Sequence, residues 1–139
     1  VDSDNNVVIS PDYLNTLKDG KYSVKVETKK KNYTKDFFVK KDTELHNTIE
    51  WIIPNAQKNM MEPILLTLES GGSTYLDVPH EGEEFGYVLQ GSIQIHVGRK
   101  VHTAKKGESF YFTPHSEHYI TANKTSGAKI IWVTTPPSF

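Results

Sequence analysis

The feature that most constrains this chain is how often it is stopped. Apolar runs end at Ser10-Pro11, Asp19-Gly20, Pro54-Asn55, Gly71-Gly72, Gly91, Gly98-Arg99 and Pro136-Pro137. Turn signals about 8–12 residues apart leave room for short strands and not for amphipathic helices. Inside the runs the side chains alternate. Tyr22, Val24 and Val26 interleave with Ser23, Lys25 and Glu27, and Ile64, Leu66 and Leu68 with Leu65, Thr67 and Glu69. A period of two is that of a strand with one buried face. Roughly ten such strands are expected, beginning with Val7–Ile9 and ending before Pro136, which favours a sandwich or barrel. Asp12–Leu17 is the one stretch that reads as a helical turn. The lysine-rich segment Thr28–Asn32 reads as a hairpin turn, with Tyr33–Val39 as the returning strand.

Composition narrows the function classes. At 139 residues the chain is long enough to bury a core as one domain. Its formal net charge of −1 argues against a nucleic-acid surface of its own, because phosphate binding needs an excess of Lys and Arg. The absence of cysteine removes disulfides, thiol catalysis and thiolate metal sites, and suits a reducing compartment. No apolar run approaches the ~20 residues of a membrane span. The polar, acidic opening Val1–Asn6 is not a signal peptide, so a cytoplasmic location and no membrane partner are expected. A start at Val1 rather than Met leads us to expect a piece of a longer protein.

Chemistry concentrates in two segments. In Pro79–Gly86 a histidine and three glutamates surround Gly82. Proline and two glycines disfavour a helix here, so the chain is expected to turn at Gly82 and enter a strand. Glu84, Gly86 and Val88 then share one face and Phe85, Tyr87 and Leu89 the other, with open space beside Glu84 at Gly86. An inward carboxylate needs a partner, and His80 is a natural one, as ion pair or as co-ligand. The bland alternative is an exposed acidic turn. In Gly107–His118 an aromatic strand runs into Pro114 and two histidines, and His118 is placed to point inward with Ile120 and Ala122. Imidazole nitrogen with carboxylate oxygen suits a divalent Zn, Fe, Mn or Ni ion. His46, His96, His102 and His115 read as surface residues. Phe110, Phe112 and Trp132 read as core or cavity wall, and Ser109 has no nucleophile elbow around it.

These segments resemble the two motifs of the cupin superfamily, a small antiparallel jelly-roll barrel. Gly72, His80, Glu84 and Gly91 fit the first motif, and Gly107 and His118 the second. The departures are Thr113 in place of proline, His115 in place of glycine, Asn123 one residue late, and Val78 where the family has its first histidine ligand. The resemblance therefore implies three metal ligands, His80, Glu84 and His118. It also implies a ligand cavity walled by His80, Glu84, Tyr87, Phe110, Phe112, His118 and Trp132. From about Glu50 to Phe139, including the closing WVTTPPSF, the chain is similar to the C-terminal cupin domains of XRE-type helix-turn-helix transcriptional regulators of the putrescine-utilisation repressor group. That likeness implies a barrel over residues 50–139, preceded by a linker and extra strands over 1–49. It implies a module that senses a small-molecule effector and forms a homodimer. A polyamine-like effector would suit Asp77, Glu81, Glu83 and Glu84. DNA would be contacted only through a helix-turn-helix domain that these residues do not contain. The alternative is a metal-dependent cupin enzyme of dioxygenase or isomerase type.

Overall fold

A computed structural model describes residues 18–27, 32–53 and 58–139. The Val7–Ile9 strand, the Asp12–Leu17 turn, the lysine turn and the Pro54-Asn55 stop lie outside the described residues. Among those described, ten strands and no α-helix are present: β1 (Gly20–Glu27), β2 (Asn32–Asp42), β3 (Asn47–Trp51), β4 (Glu62–Leu68), β5 (Glu83–Gln90), β6 (Ser92–Val97), β7 (Lys100–Lys105), β8 (Ser109–Phe112), β9 (His118–Ala122) and β10 (Ala128–Thr135).

The strands form two antiparallel sheets, ordered β1-β2-β3-β4-β10-β5-β8 and β7-β6-β9. β6 and β7 make a hairpin across Gly98-Arg99, while β5 pairs with β8 and β6 with β9. The chain thus crosses from one sheet to the other after β5, β7, β8 and β9. Nested pairs wound across two facing sheets make a jelly roll, as the strand spacing implied. Gly91 makes the first crossing. Its φ of +77° favours glycine, and a Cβ there would lie 2.2 Å from the Gly127 carbonyl oxygen.

The alternation read from the sequence becomes the core. Ile64, Leu66 and Leu68 of β4 meet Val88 of β5, Ile130 and Trp132 of β10, and Ile93, Ile95 and Ile120 of the small sheet. The expected extra N-terminal strands are present. β3 pairs with β4 from Asn47 opposite Leu68 to Trp51 opposite Ile64, and β2 and β1 continue the same sheet. The expected division between residues 49 and 50 falls inside β3.

One inward row is polar. Glu62, Thr134 and Glu84 lie side by side on β4, β10 and β5, with Phe112 beyond them on β8. Glu62 is fully buried. Its Oε1 accepts from Trp51 Nε1–H at 2.8 Å, and its Oε2 from the backbone N–H groups of Ser138 and Phe139 at 2.9 Å each. The carboxylate fastens the chain after β10 back across the end of the barrel. The tail adds a side-chain contact, with Phe139 packed edge-on against Trp132 at 5.0 Å. Glu62→Ala would strand three part-buried donors, and we expect it to cost about 2 kcal/mol in urea unfolding. Glu69 is exposed, with Lys41 Nζ at 4.0 Å and the His46 imidazole at 3.5 Å, so Glu69→Ala should cost no more than about 1 kcal/mol. Equal losses for the two variants would refute the clamp.

Candidate metal centre

Three separate elements carry the expected ligands to one end of the barrel. His80 lies in the loop before β5, where its backbone N–H donates to the Pro114 carbonyl at 3.0 Å. Glu84 is the second residue of β5, on the buried phase of that strand's alternation. His118 opens β9, held to Asp77 by two backbone hydrogen bonds of 2.9 and 3.0 Å. Both stretches adjoining the histidines are thus pinned by main-chain bonds, which limits how far either imidazole can drift.

The side chains converge on one oxygen. Glu84 Oε1 is 3.1 Å from His80 Nε2 and 2.9 Å from His118 Nε2, and the ligand atoms all lie within 4.8 Å of one another. Each ring's other nitrogen is committed elsewhere. His80 Nδ1 is 2.8 Å from the Glu81 carbonyl and His118 Nδ1 is 3.0 Å from the Ser116 carbonyl. A carbonyl only accepts, so the hydrogen-bond network assigns each Nδ1 the hydrogen. Two imidazole lone pairs then face the same carboxylate oxygen. That meeting is repulsive unless a proton or a cation lies among them. The second carboxylate oxygen is fixed by Trp132, whose Nε1–H donates to Glu84 Oε2 at 2.9 Å. Carbonyl acceptors behind imidazoles and a donor behind a carboxylate are how metal ligands are oriented. The donor set fits a divalent ion, and His80, Glu84 and His118 would hold it.

Exposure grades across the trio. Glu84 and His118 are 2% and 1% exposed, His80 25%. Phe112 lies edge-on to His118 at 5.3 Å, and Phe110 edge-on to Trp132 at 6.5 Å. Asp77 is half-buried beside the trio. Burial pushes its carboxyl up; the His118 charge opposes this and the Glu84 charge adds to it. Asp77, Tyr75, Trp132 and Phe139 line a cavity of about 130 Å³. A groove of about 430 Å³ between β7 and β8 is lined by Ile95, Val97, Phe110 and Phe112.

The structure therefore brings together His80, Glu84, His118, Phe112 and Trp132, with Phe110 one row further in. Tyr87 is a correction. It is 39% exposed on the outer face of β5, because a period of two puts it with Phe85, opposite in direction to Glu84. The space expected beside Glu84 is also filled. A Cβ on Gly86 would lie 2.1 Å from the Phe110 ring, so the glycine admits an aromatic side chain rather than a ligand. Val78, at the missing-ligand position, is 68% exposed. Glu81 and Glu83 are exposed as well, as are His102 and His115. His96 stacks on Tyr119 at 4.2 Å on the outer face of the small sheet, and His46 lies 3.5 Å from Glu69. Sequence reasoning missed Glu62 and Phe139. The phase of Ile64, Leu66 and Leu68, carried back two residues, already put Glu62 inward. Nothing local marked Phe139, whose contact depends on the tail folding back.

Comparison with known proteins follows the same lines. A family model described as a cupin domain (Cupin_2) matches residues 64–134, just over half of the chain. An HTH_3-family transcriptional regulator from Vibrio cholerae superposes with TM-score 0.59 and 23% identity, over 68% of this chain and 53% of that one. The chain thus spans about half the length of that regulator. The Cupin_2 domain of an XRE-family transcriptional regulator from Enterobacter cloacae gives TM-score 0.57 and 14% identity, over 67% of this chain and 99% of that one. The Fe(II) form of HppE gives 0.60 and 23%, over 69% and 54%. At these identities the likeness is one of fold. No curated protein sequence matches the chain. Among the described residues no helix is long and apolar enough to cross a membrane.

Two measurements test the centre. Trp132→Phe keeps an aromatic side chain, though a smaller one, and removes the N–H that holds Glu84; it should weaken divalent-metal affinity roughly ten- to a hundredfold in chelator competition. Unchanged affinity would show that the indole does not orient the ligand. The second is pH dependence. Burial pushes the His118 imidazole down, but the hydrogen bond to Glu84, the bond to the Ser116 carbonyl and the charges of Glu84 and Asp77 outweigh it, leaving its pKa above the usual 6.5. In metal-free protein that contribution to stability is complete below the unfolded value and is lost as pH rises through the raised folded one. A metal requires the deprotonated Nε2, so its occupancy rises with pH. Stabilisation by added Zn²⁺, read as the difference in thermal midpoint, should therefore grow from about pH 6 to pH 8. A flat difference would exclude His118 as a ligand.

Proposed function

The chain belongs to the cupin-domain family, and from that premise we propose that it is the small-molecule-sensing and dimerising domain of a bacterial transcriptional regulator, working in the cytoplasm. DNA would be contacted by a helix-turn-helix domain outside these residues. The likeness to the Vibrio cholerae and Enterobacter cloacae regulators supports this reading. The observation that carries it is the convergence of two imidazole nitrogens and a carboxylate on one point beside a small cavity. A Zn, Fe, Mn or Ni ion held by His80, Glu84 and His118 would supply open positions for an effector and positive charge to polarise it. With Val78 at the fourth position, His80, Glu84 and His118 would be the ligands this site supplies.

The nearby cavity of about 130 Å³, lined by Asp77 and Trp132 but by none of the three ligands, would admit only a small molecule. It lies well below the ~300 Å³ at which drug-sized pockets begin, so a ligand of few heavy atoms fits. Asp77 offers it a half-buried carboxylate with Trp132 and Phe139 as an apolar wall, the pairing a short polyamine would need. Such a ligand regulates only if it prefers one arrangement of the attached DNA-binding domains.

One observation favours an enzyme as the second reading. Asp77 beside the trio is a carboxyl pushed up by burial that is not itself among the three ligands, which is how a general acid or base is made. The Fe(II) form of HppE has a similar fold.

Calorimetric titration with putrescine and with spermidine, before and after loading Zn²⁺ or Fe²⁺, tests the sensor. We expect saturable heat that Asp77→Asn reduces at least about tenfold in affinity, one tenfold step being ~1.4 kcal/mol. No heat beyond dilution in any arm would exclude polyamines. Oxygen consumption by the Fe²⁺-loaded protein on adding a small amine or hydroxy acid would favour the enzyme instead.

A further inference from the structure

The jelly roll leaves one of its seams open. The large sheet ends at β8 and the small sheet at β7. At the opposite seam, bridges from Ser73 to Thr121 and from Asp77 to His118 continue the small sheet past β9. Among the described residues nothing pairs with β7 beyond β6, or with β8 beyond β5. The groove of about 430 Å³ lies in this gap. Its apolar wall is built from inward positions, Ile95 and Val97 of β6 and Phe110 and Phe112 of β8. The two phenyl rings are within 20° of parallel, with centroids 6.2 Å apart, and both are only half-buried. Facing them, the register puts polar side chains where the alternation calls for apolar ones. Ala104, 4% exposed, sits opposite Ile93, and the same phase of β7 carries His102 opposite Ile95 and Lys100 opposite Val97. Both line the groove, and neither has a carboxylate partner among the described residues. An inward lysine on an edge strand also blunts that edge against pairing, but that role needs no aromatic wall.

We propose that this groove binds a small amphipathic carboxylate, an aryl- or alkyl-carboxylic acid whose apolar body lies on Phe110 and Phe112 and whose carboxylate meets Lys100 and His102. Charge chooses the head group. No acidic residue lines the groove. The carboxylate of Glu83 is engaged on the outward phase of the large sheet, where it accepts from the Tyr111 hydroxyl. Lys100 and His102 are two residues apart on one face of a strand, roughly 7 Å along the backbone. Their side chains can converge on one carboxylate, the ammonium supplying charge and the imidazole an N–H. Shape chooses the body. The volume falls within the ~300–1,000 Å³ of small-molecule sites, which are mostly apolar with a few polar groups to fix orientation. Half-buried phenyl rings gain most from covering by an apolar group. The groove is distinct from the metal centre, since none of His80, Glu84 and His118 lines it. Phe112 faces it and also lies edge-on to His118 at 5.3 Å, so an occupant would touch the wall of the centre and not its ligand atoms. It is also a second site beside the barrel-end cavity at Asp77, and it does not depend on the polyamine reading.

The test is calorimetric titration of the full chain with phenylpropionate, phenylpropionamide and phenylpropylamine near neutral pH, followed by backbone-amide NMR. The three probes share one apolar body, so differences among them report the head group. We expect saturable binding of the carboxylate, at least about tenfold weaker binding of the neutral amide, and none of the amine. The amide resonances of Ala104, Phe110 and Phe112 should shift on binding, and those of Tyr75 and Asp77 should not. Lys100→Gln should weaken phenylpropionate at least about tenfold, whereas Lys124→Gln, exposed and outside the groove, should leave it unchanged. Lys100 is itself exposed, so its replacement should leave the far-UV circular dichroism as it was. Should Lys100→Gln nevertheless misfold, the head-group series on the unsubstituted chain still decides. Equal binding of all three probes, no saturable carboxylate binding, or unchanged affinity in a folded Lys100→Gln overturns the site. Shifts centred on Tyr75 and Asp77 also overturn it. None of these outcomes bears on putrescine or spermidine at Asp77, whose titration fails or succeeds separately.

Discussion

The structure depends on how it accommodates the carboxylate of Glu84. A charge 98% removed from solvent is tolerated only if its oxygens are satisfied. One oxygen is satisfied by the indole of Trp132. The other faces two imidazoles whose remaining hydrogens are held by main-chain carbonyls. Each supporting group comes from a different part of the fold, so the jelly roll must close before the carboxylate has any partner. The same arrangement that solves the burial problem for Glu84 leaves a point where a cation is favoured. Stability and candidate chemistry therefore share one set of contacts.

Glu62 repeats the theme two strands away. Glu62 and Glu84 flank Thr134 in a single inward row, and both are buried. Their partners differ in kind. Glu62 is saturated by N–H donors, an indole and two backbone amides, which makes it a structural clamp. Glu84 faces ring nitrogens that can donate, accept or ligate, which makes it the reactive member of the pair. Trp132 links the two, donating to Glu84 while its ring carries Phe139 from the clamped tail. Trp132 is thus one link between the tail and the centre.

The two outer faces add a separate layer. Closing the barrel requires only that inward positions be apolar, and both sheets meet that condition. The large sheet also carries outward aromatics, Phe85, Tyr87 and Tyr111, which contribute nothing to the core they back onto. Glu84 and Tyr87, three residues apart on β5, therefore point to opposite faces of the same strand.

What the sequence determined by itself was everything carried by period and chemistry at short range. Alternation indicated which residues of β4, β5 and β9 face inward, and glycine and proline indicated where strands stop. The motif resemblance picked out His80, Glu84 and His118. The tertiary structure decided what depends on contacts between distant segments. It placed Phe110, and not a ligand, against Gly86. It turned Tyr87 outward on the face that its alternation with Glu84 had already implied, against its expected place in the cavity. It joined the tail to Glu62 and brought two lone pairs to one oxygen. The physical reason is that side-chain direction along a strand is a local property of the backbone, whereas which atom fills a given space is settled only when strands remote in sequence are packed side by side.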